Sequence, residues 1–163
     1  MTRLSLLAAR GAALVLVAAS CLAVPLAAQT REMRTLTLEG VKKVIAAAEA
    51  EARANNWNVS IAVVDAAGEL VYFQRSDEAS PASVDLSRLK ARTAARFRRT
   101  TRSMDSTITA GRPHTMALEG IAPIEGGIPI EIDGRVIGGI GVSGATSAQD
   151  AQVARAGLVV LNK

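Results

Sequence analysis

The sequence predicts an α+β domain in which helices pack against a mainly antiparallel sheet. Two features favour this class. Short β-rich runs are joined by residues suited to tight turns, at Asp65–Gly68 and at Asp133–Gly134, which is typical of hairpins. Apolar residues recur at helical spacing before, between and after these hairpins, without regular alternation of single strands and helices. The predicted order is therefore helix, hairpin, helices, three strands, helix.

The first helix is predicted from Thr37 to about Ala54. The Thr37 hydroxyl can accept a hydrogen bond from an otherwise unpaired amide of the first turn, so Thr37 suits the N-cap. The apolar residues that follow share one helix face: Leu38, Val41, Val44, Ile45, Ala48 and Ala52. The first hairpin comes next, with strands predicted at Val59–Val64 and Glu69–Gln74.

Two helices are predicted in the middle of the chain. Ser83 can cap the longer one, Val84–Arg98, and Gly111 closes the shorter one, Thr101–Ala110. The irregular segment Gly111–Gly120 follows and carries the only histidine of the chain.

The C-terminal part predicts three strands and a helix. The strands are expected at Ala122–Ile124, Ile128–Ile132 and Arg135–Ser143. The last has three glycines, which indicate either a bulge or the close approach of another backbone or a ligand. Thr146 opens a Thr-x-x-Gln capping box for a helix over Ser147–Leu161.

The N-terminus resembles an export signal. Residues 1–28 hold two charges, Arg3 and Arg10, followed by a short apolar run. Such a run is about half of the ~20 residues that span a bilayer, so we expect no stable membrane span. We expect cleavage after Ala28, with residues 29–36 as a flexible lead and 37–163 as the domain. The alternatives are a lipid on Cys21 and an uncleaved helix.

Charge and cysteine content exclude several classes of protein. The chain of 163 residues has 19 basic and 15 acidic residues, a net charge of +4. Removal of Arg3 and Arg10 leaves 17 against 15, or +2, which does not indicate a nucleic-acid-binding protein. The only cysteine, Cys21, would leave with the signal, so the domain would hold no disulfide, thiolate metal site or covalent haem attachment.

Lys90 is predicted to share the apolar face of its helix. At about 100° per residue it lies about 40° from Leu86, near Phe97, whereas three arginines cluster on the opposite side. An ammonium on an inward face must reach the edge of the helix or meet an anion, because an unpaired buried charge is costly.

The other candidate residues lie between the middle helices and the last strands. His114 can ligate iron or transfer protons, Arg112 can hold a carboxylate, and Met116 can be a soft ligand or a core residue. Glu125 precedes Gly126 and Gly127, where the backbone can approach a bound group. Alternatively, Glu125 is an exposed turn carboxylate.

Five segments in order resemble the GlcG/HbpS-like haem-binding family: Thr37–Ala52, Val59–Gly68, Lys90–Ala94, Glu125–Ile130 and Ile137–Ala145. The resemblance extends from about Thr37 to Leu161. It implies a five-stranded, mainly antiparallel sheet flanked by helices and assembly into oligomers. The family includes secreted proteins that bind haem non-covalently and act in haem or redox sensing. The pocket-bearing segments would be those around Lys90, Gly111–Gly120 and Gly126–Gly127.

The resemblance and the residues together predict an exported, non-covalent b-type haem-binding protein. We expect His114 to ligate the iron, an inference of our own that the family pattern does not supply, and Lys90 and Arg112 to bind the propionates. The apolar slot would include Phe97, Met116 and Ile124. Two alternatives stay open. One is a cofactor-free enzyme acting on a small organic acid, with Lys90 or His114 as acid/base and Arg112 holding the carboxylate; the other is an oligomeric interaction module for a sensor protein.

Overall fold

A four-stranded antiparallel sheet organises the part of the chain that the structure, a computed structural model, describes, residues 32–162. The spatial order of the strands is β2-β1-β4-β3, and their bounds are Ser60–Asp65 for β1, Leu70–Arg75 for β2, Gly127–Ile132 for β3 and Arg135–Ser143 for β4. The helices are α1 (Leu38–Ala54), α2 (Pro81–Phe97), α3 (Thr101–Thr109) and α4 (Ser147–Leu158). Two 3-10 helices cover Pro113–Ala117 and Val159–Asn162.

Helices cover both faces of the sheet. Along β1, Ile61 and Val63 join the buried cluster that α1 and α4 contribute to, whereas Ala62 and Val64 pack in a second cluster with residues of α2. Successive side chains of a strand point to opposite faces, so β1 is buried on both sides. The architecture is therefore α1 and α4 on one face, the sheet in the middle, and α2 on the other face.

The glycines of β4 allow α2 to lie directly on the strand. A Cβ atom on Gly139 would collide with the carbonyl of Ala91, and one on Gly141 with the carbonyl of Ser87. The close approach predicted from these glycines is confirmed, and the approaching group is the backbone of a helix.

Several local predictions are confirmed. The Thr37 hydroxyl accepts from the Gly40 amide at 3.1 Å. Asp133 and Gly134 both have positive φ, 50° and 71°, as a two-residue hairpin turn needs. Thr146 forms the predicted capping box with Gln149.

The prediction of five strands is wrong for the described residues, because Ala122–Ile124 pairs with no strand. The amide of Ala122 donates instead to Thr93 Oγ1 of α2 at 2.9 Å, and Pro123 has no amide hydrogen to offer a ladder. Two helix boundaries also differ. The helix α2 begins at Pro81 after the N-cap Ser80, because proline suits the first turn, and α4 gives way to a 3-10 helix after Leu158.

The predictions for residues 1–28, including the signal peptide, the cleavage after Ala28 and the lipid on Cys21, lie outside the described residues. Within the described part, every helix is too short or too polar to cross a membrane.

Candidate functional site

The ammonium of Lys90 lies in the interior of the domain, where it is 1% exposed. Its Nζ atom donates to Asp150 Oδ2 at 2.8 Å and to the carbonyl of Val142 at 3.0 Å. The prediction that Lys90 shares the apolar face is confirmed. The anion that it meets is a carboxylate of the protein itself.

Asp150 belongs to the first turn of α4, and its other oxygen, Oδ1, accepts from the Ala145 amide at 3.0 Å. Burial raises the pKa of Asp150, while the hydrogen bond and the positive charge of Lys90 act in the opposite direction. Because α2 and α4 cover opposite faces of the sheet, this ion pair connects the two outer layers of the domain.

Gly126 and Gly127 lie against this ion pair. A Cβ atom on Gly126 would lie 2.8 Å from Lys90 Nζ and 3.0 Å from Asp150 Cβ, and Gly126 has a φ of +126°. A Cβ atom on Gly127 would collide with the Lys90 carbonyl, and the Gly127 amide donates to Thr101 Oγ1 at 2.9 Å. The absence of side chains at these two glycines therefore leaves space for the side chain and the backbone of Lys90.

Glu125, just before the glycines, connects two helices near the surface. Its Oε1 atom lies 3.5 Å from Arg102 Nη1 of α3 and 3.9 Å from Arg155 Nη1 of α4. Both arginines are well exposed, so these ion pairs stabilise the domain by at most about 1 kcal/mol each.

His114, Arg112 and Met116 form a second, separate group on the surface. All three are exposed, and the 3-10 helix that carries His114 and Met116 is anchored by buried Thr115. The Arg112 amide donates to the Thr107 carbonyl of α3 at 3.2 Å. This bond holds the residues just before the 3-10 helix against the end of α3.

Exposed apolar side chains occur within this part of the chain and at the end of α2. Phe97 is 39% exposed and Ile124 is 42% exposed, and Met116 and Leu118 are exposed as well. The Ala122 amide donates to Thr93 of α2, which lies one helical turn before Phe97. This bond holds the chain near Ala122 against α2. We therefore call residues 111–124 the surface segment.

The predicted site residues thus fall into two groups. The structure brings Lys90, Gly126 and Gly127 together in the interior, with Glu125 beside them. It places the other four at the surface: Phe97, Arg112, His114 and Met116. A propionate could reach Lys90 only if the ion pair with Asp150 opened.

Sequence reasoning missed Asp150 and Leu118. Asp150 precedes Val153, Ala154 and Gly157 by three, four and seven positions, which places it on the apolar face of α4. The same periodicity that singled out Lys90 therefore identifies its partner. Across residues 32–162 there is no cluster of three or more His, Cys, Asp or Glu residues that could hold a metal ion.

Comparison with known proteins identifies the family. Residues 36–159 match the model of a family described as "Haem degrading protein HbpS-like". The chain belongs to the HbpS-like family. Among curated relatives, Protein GlcG of Escherichia coli strain K12 is 44% identical over 108 residues, which are 66% of this chain and 81% of GlcG. The resemblance predicted from five sequence segments is confirmed.

Solved structures of similar proteins share this fold. A double mutant of HbpS from Streptomyces reticuli superimposes with a TM-score of 0.77 at 34% identity, over 82% of this chain and 91% of HbpS. A haem complex of PduOC superimposes with a TM-score of 0.74 at 25% identity, over 79% of this chain and 96% of PduOC. The α+β class with an antiparallel sheet is therefore shown.

Proposed function

We propose that this protein binds haem non-covalently, as a b-type site, on the surface segment. The observation that carries the proposal is membership of the HbpS-like family over residues 36–159, together with a structural neighbour solved as a haem complex. The family description and that neighbour both concern haem, which favours haem over other ligands for this chain.

The exposed residues fit a haem. The imidazole of His114 can ligate iron, and Met116 can contribute a soft thioether sulfur. Phe97, Leu118 and Ile124 offer apolar surface to a macrocycle, and Arg112 can pair with a propionate. When bound, haem would supply a redox-active iron. The chain itself would orient the ring, shield one of its faces and hold its carboxylates.

Lys90 fits this role less well than Arg112. Two of the three hydrogens of its ammonium group are already donated to Asp150 and to the Val142 carbonyl, and the side chain is buried. Binding a propionate there would leave the Asp150 carboxylate without its cation in the interior, which is costly. We therefore place the propionates at the surface, with Arg112 as the cation.

A site built from such exposed side chains gives modest affinity. Apolar groups that remain partly in water contribute only part of their transfer free energy, and Met116 is 66% exposed. We expect a dissociation constant of about 1 µM, which corresponds to about 8 kcal/mol of binding free energy.

Haemin titration of the purified protein tests the proposal. We expect a saturable shift of the Soret band at micromolar protein, with one haem for each chain. Glu119→Gln, an exposed change within the surface segment, should leave the titration unaltered. Absence of any Soret shift at micromolar protein would overturn the proposal.

We also propose that the protein is exported to the periplasm or the medium and assembles with copies of itself. The N-terminal signal pattern supports export, and exposed Leu70 and Val71 on the edge strand β2 support self-association. N-terminal sequencing of the exported protein should begin at Gln29. Light scattering should give a mass that is a multiple of one chain, and a monomer at micromolar concentration would rule out the oligomer.

A further inference from the structure

The end of strand β2 and the residue that follows it carry polar side chains on the face that should join the core. Ile61 of β1 pairs with Gln74, and the Ser76 amide donates to the Val59 carbonyl at 3.0 Å. Cross-strand partners share a face of the sheet, and Val59 and Ile61 belong to the cluster beneath α1. Gln74 and Ser76 therefore face α1. Polar residues at two successive inward positions are unfavourable unless they have a function.

A cleft of about 420 Å³ lies where these residues meet the end of α1. Its apolar lining comes from Ala52, Val59, Ile61 and the partly buried Trp57. This volume lies within the range of small-molecule sites, which combine apolar walls with a few polar groups.

One polar group in this cleft lacks a partner. The Oγ atom of Ser76 is buried and makes no hydrogen bond to any residue between 32 and 162. Leaving a buried hydroxyl unpaired is costly, and most such groups in proteins have a partner. Rotation of the Ser76 side chain about its Cα–Cβ bond would turn this hydroxyl toward the cleft, where a bound molecule would give it a partner.

The charges around the cleft are balanced. Two carboxylates, Glu49 and Asp77, lie among the lining residues together with two guanidinium groups, Arg53 and Arg75. Arg53 pairs with Glu49 at 2.9 Å, and Arg75 donates from Nε to the Ala79 carbonyl at 3.1 Å. Because these two negative and two positive charges sum to zero, the cleft favours neither an anion nor a cation.

We propose that this cleft, named here the Trp57 cleft, binds a small organic molecule of zero net charge. The apolar body of the ligand packs on Trp57, Val59 and Ile61, and a hydrogen-bonding group reaches Ser76 and Gln74. The site stands on the α1 face of the sheet, whereas α2 covers the other face. It is therefore independent of the proposed haem site.

Three probes of nearly equal shape test the charge preference: benzamide, benzoate and benzamidine. Trp57 is the only tryptophan in the chain, so tryptophan fluorescence and the indole N–H resonance report on this cleft alone. We expect benzamide to bind in the millimolar range and to shift both signals. Benzoate and benzamidine should bind at least fivefold more weakly. Equal binding of all three, or no change at Trp57 with any of them at 20 mM (about twenty times a dissociation constant of about 1 mM), would overturn the proposal.

Ser76→Ala separates a ligand role from a structural role. Loss of one neutral hydrogen bond should weaken benzamide binding about fivefold. The unliganded variant should unfold at the same or a higher urea concentration, since the change removes an unpaired hydroxyl. A lower midpoint with unchanged benzamide binding would contradict the proposal. Ser106→Ala, at an exposed position of α3, is the matched control and should alter neither measurement. Haemin titration should be unaffected in both variants.

Discussion

Lys90 Nζ and Asp150 Oδ2 lie 2.8 Å apart between two helices that cover opposite faces of the sheet, and both side chains are buried. The pair is surrounded by further bonds, to the Val142 carbonyl on the lysine side and from the Ala145 amide on the aspartate side. A buried ion pair is stable only when its remaining donors and acceptors also form hydrogen bonds, because both charges have lost their contact with water. The glycines at 126 and 127 leave the space in which it forms.

Lys90→Met should destabilise the domain by about 3–5 kcal/mol, because it leaves the Asp150 carboxylate buried without its cation. The double variant Lys90→Met/Asp150→Leu should recover most of this loss, since no uncompensated charge remains. Urea unfolding of the two single variants and the double variant measures the coupling. Additive losses in the double variant would show that the two groups do not act as a pair.

The carboxyl of Asp150 should titrate above its ordinary pKa of 3.8, because burial is the largest influence on it. A pKa raised in the folded state means that the native protein binds this proton more tightly. Asp150 therefore contributes stability below pH 3.8 that is lost as the pH rises through the folded pKa. Carbon-detected NMR of the Asp150 carboxyl measures the midpoint, and a midpoint at or below 3.8 would contradict the assignment.

Gly127→Ala should destabilise the domain by about 3 kcal/mol, since a Cβ atom there collides with the backbone of α2. Gly111→Ala is the matched control. It has a φ of +88° and open space around it, so only backbone strain of about 1 kcal/mol is expected. Unfolding midpoints of the two variants give the comparison. Equal losses would show that steric contact at position 127 is unimportant.

Thr93→Val should loosen the surface segment, because the buried Ala122 amide loses its acceptor at a cost of about 1–3 kcal/mol. Hydrogen exchange at Ala122 should accelerate, and haemin affinity should fall. Thr109→Val, an exposed change in α3, provides the comparison and should preserve both values. Unchanged exchange at Ala122 would contradict the role of Thr93 in holding the segment.

Local sequence signals predicted most of the fold. The caps at Thr37 and Thr146 and the turn at Asp133–Gly134 depend on neighbouring residues alone, so their chemistry is visible in the sequence. Ala122–Ile124 was predicted from the sequence to be a strand. Its actual pairing, with Thr93 of α2, is a contact between distant residues that no local pattern reveals.

The candidate site was predictable only in part. Helical periodicity placed Lys90 inside and could have identified Asp150, yet it did not show that the two side chains meet across the end of the sheet. The short, irregular run around His114 has no periodicity from which exposure could be inferred. The surface position of His114 is therefore a result of the structure.

The central claim is that haem binds on the surface segment with His114 as ligand. The most direct measurement compares the Soret spectra of the wild-type protein and His114→Ala, each titrated with haemin to saturation. Haem binding at His114 predicts a shifted Soret band for the wild type and a different band position, with at least tenfold weaker binding, for the variant; tenfold corresponds to about 1.4 kcal/mol of binding free energy. An identical spectrum and affinity in His114→Ala would contradict the claim.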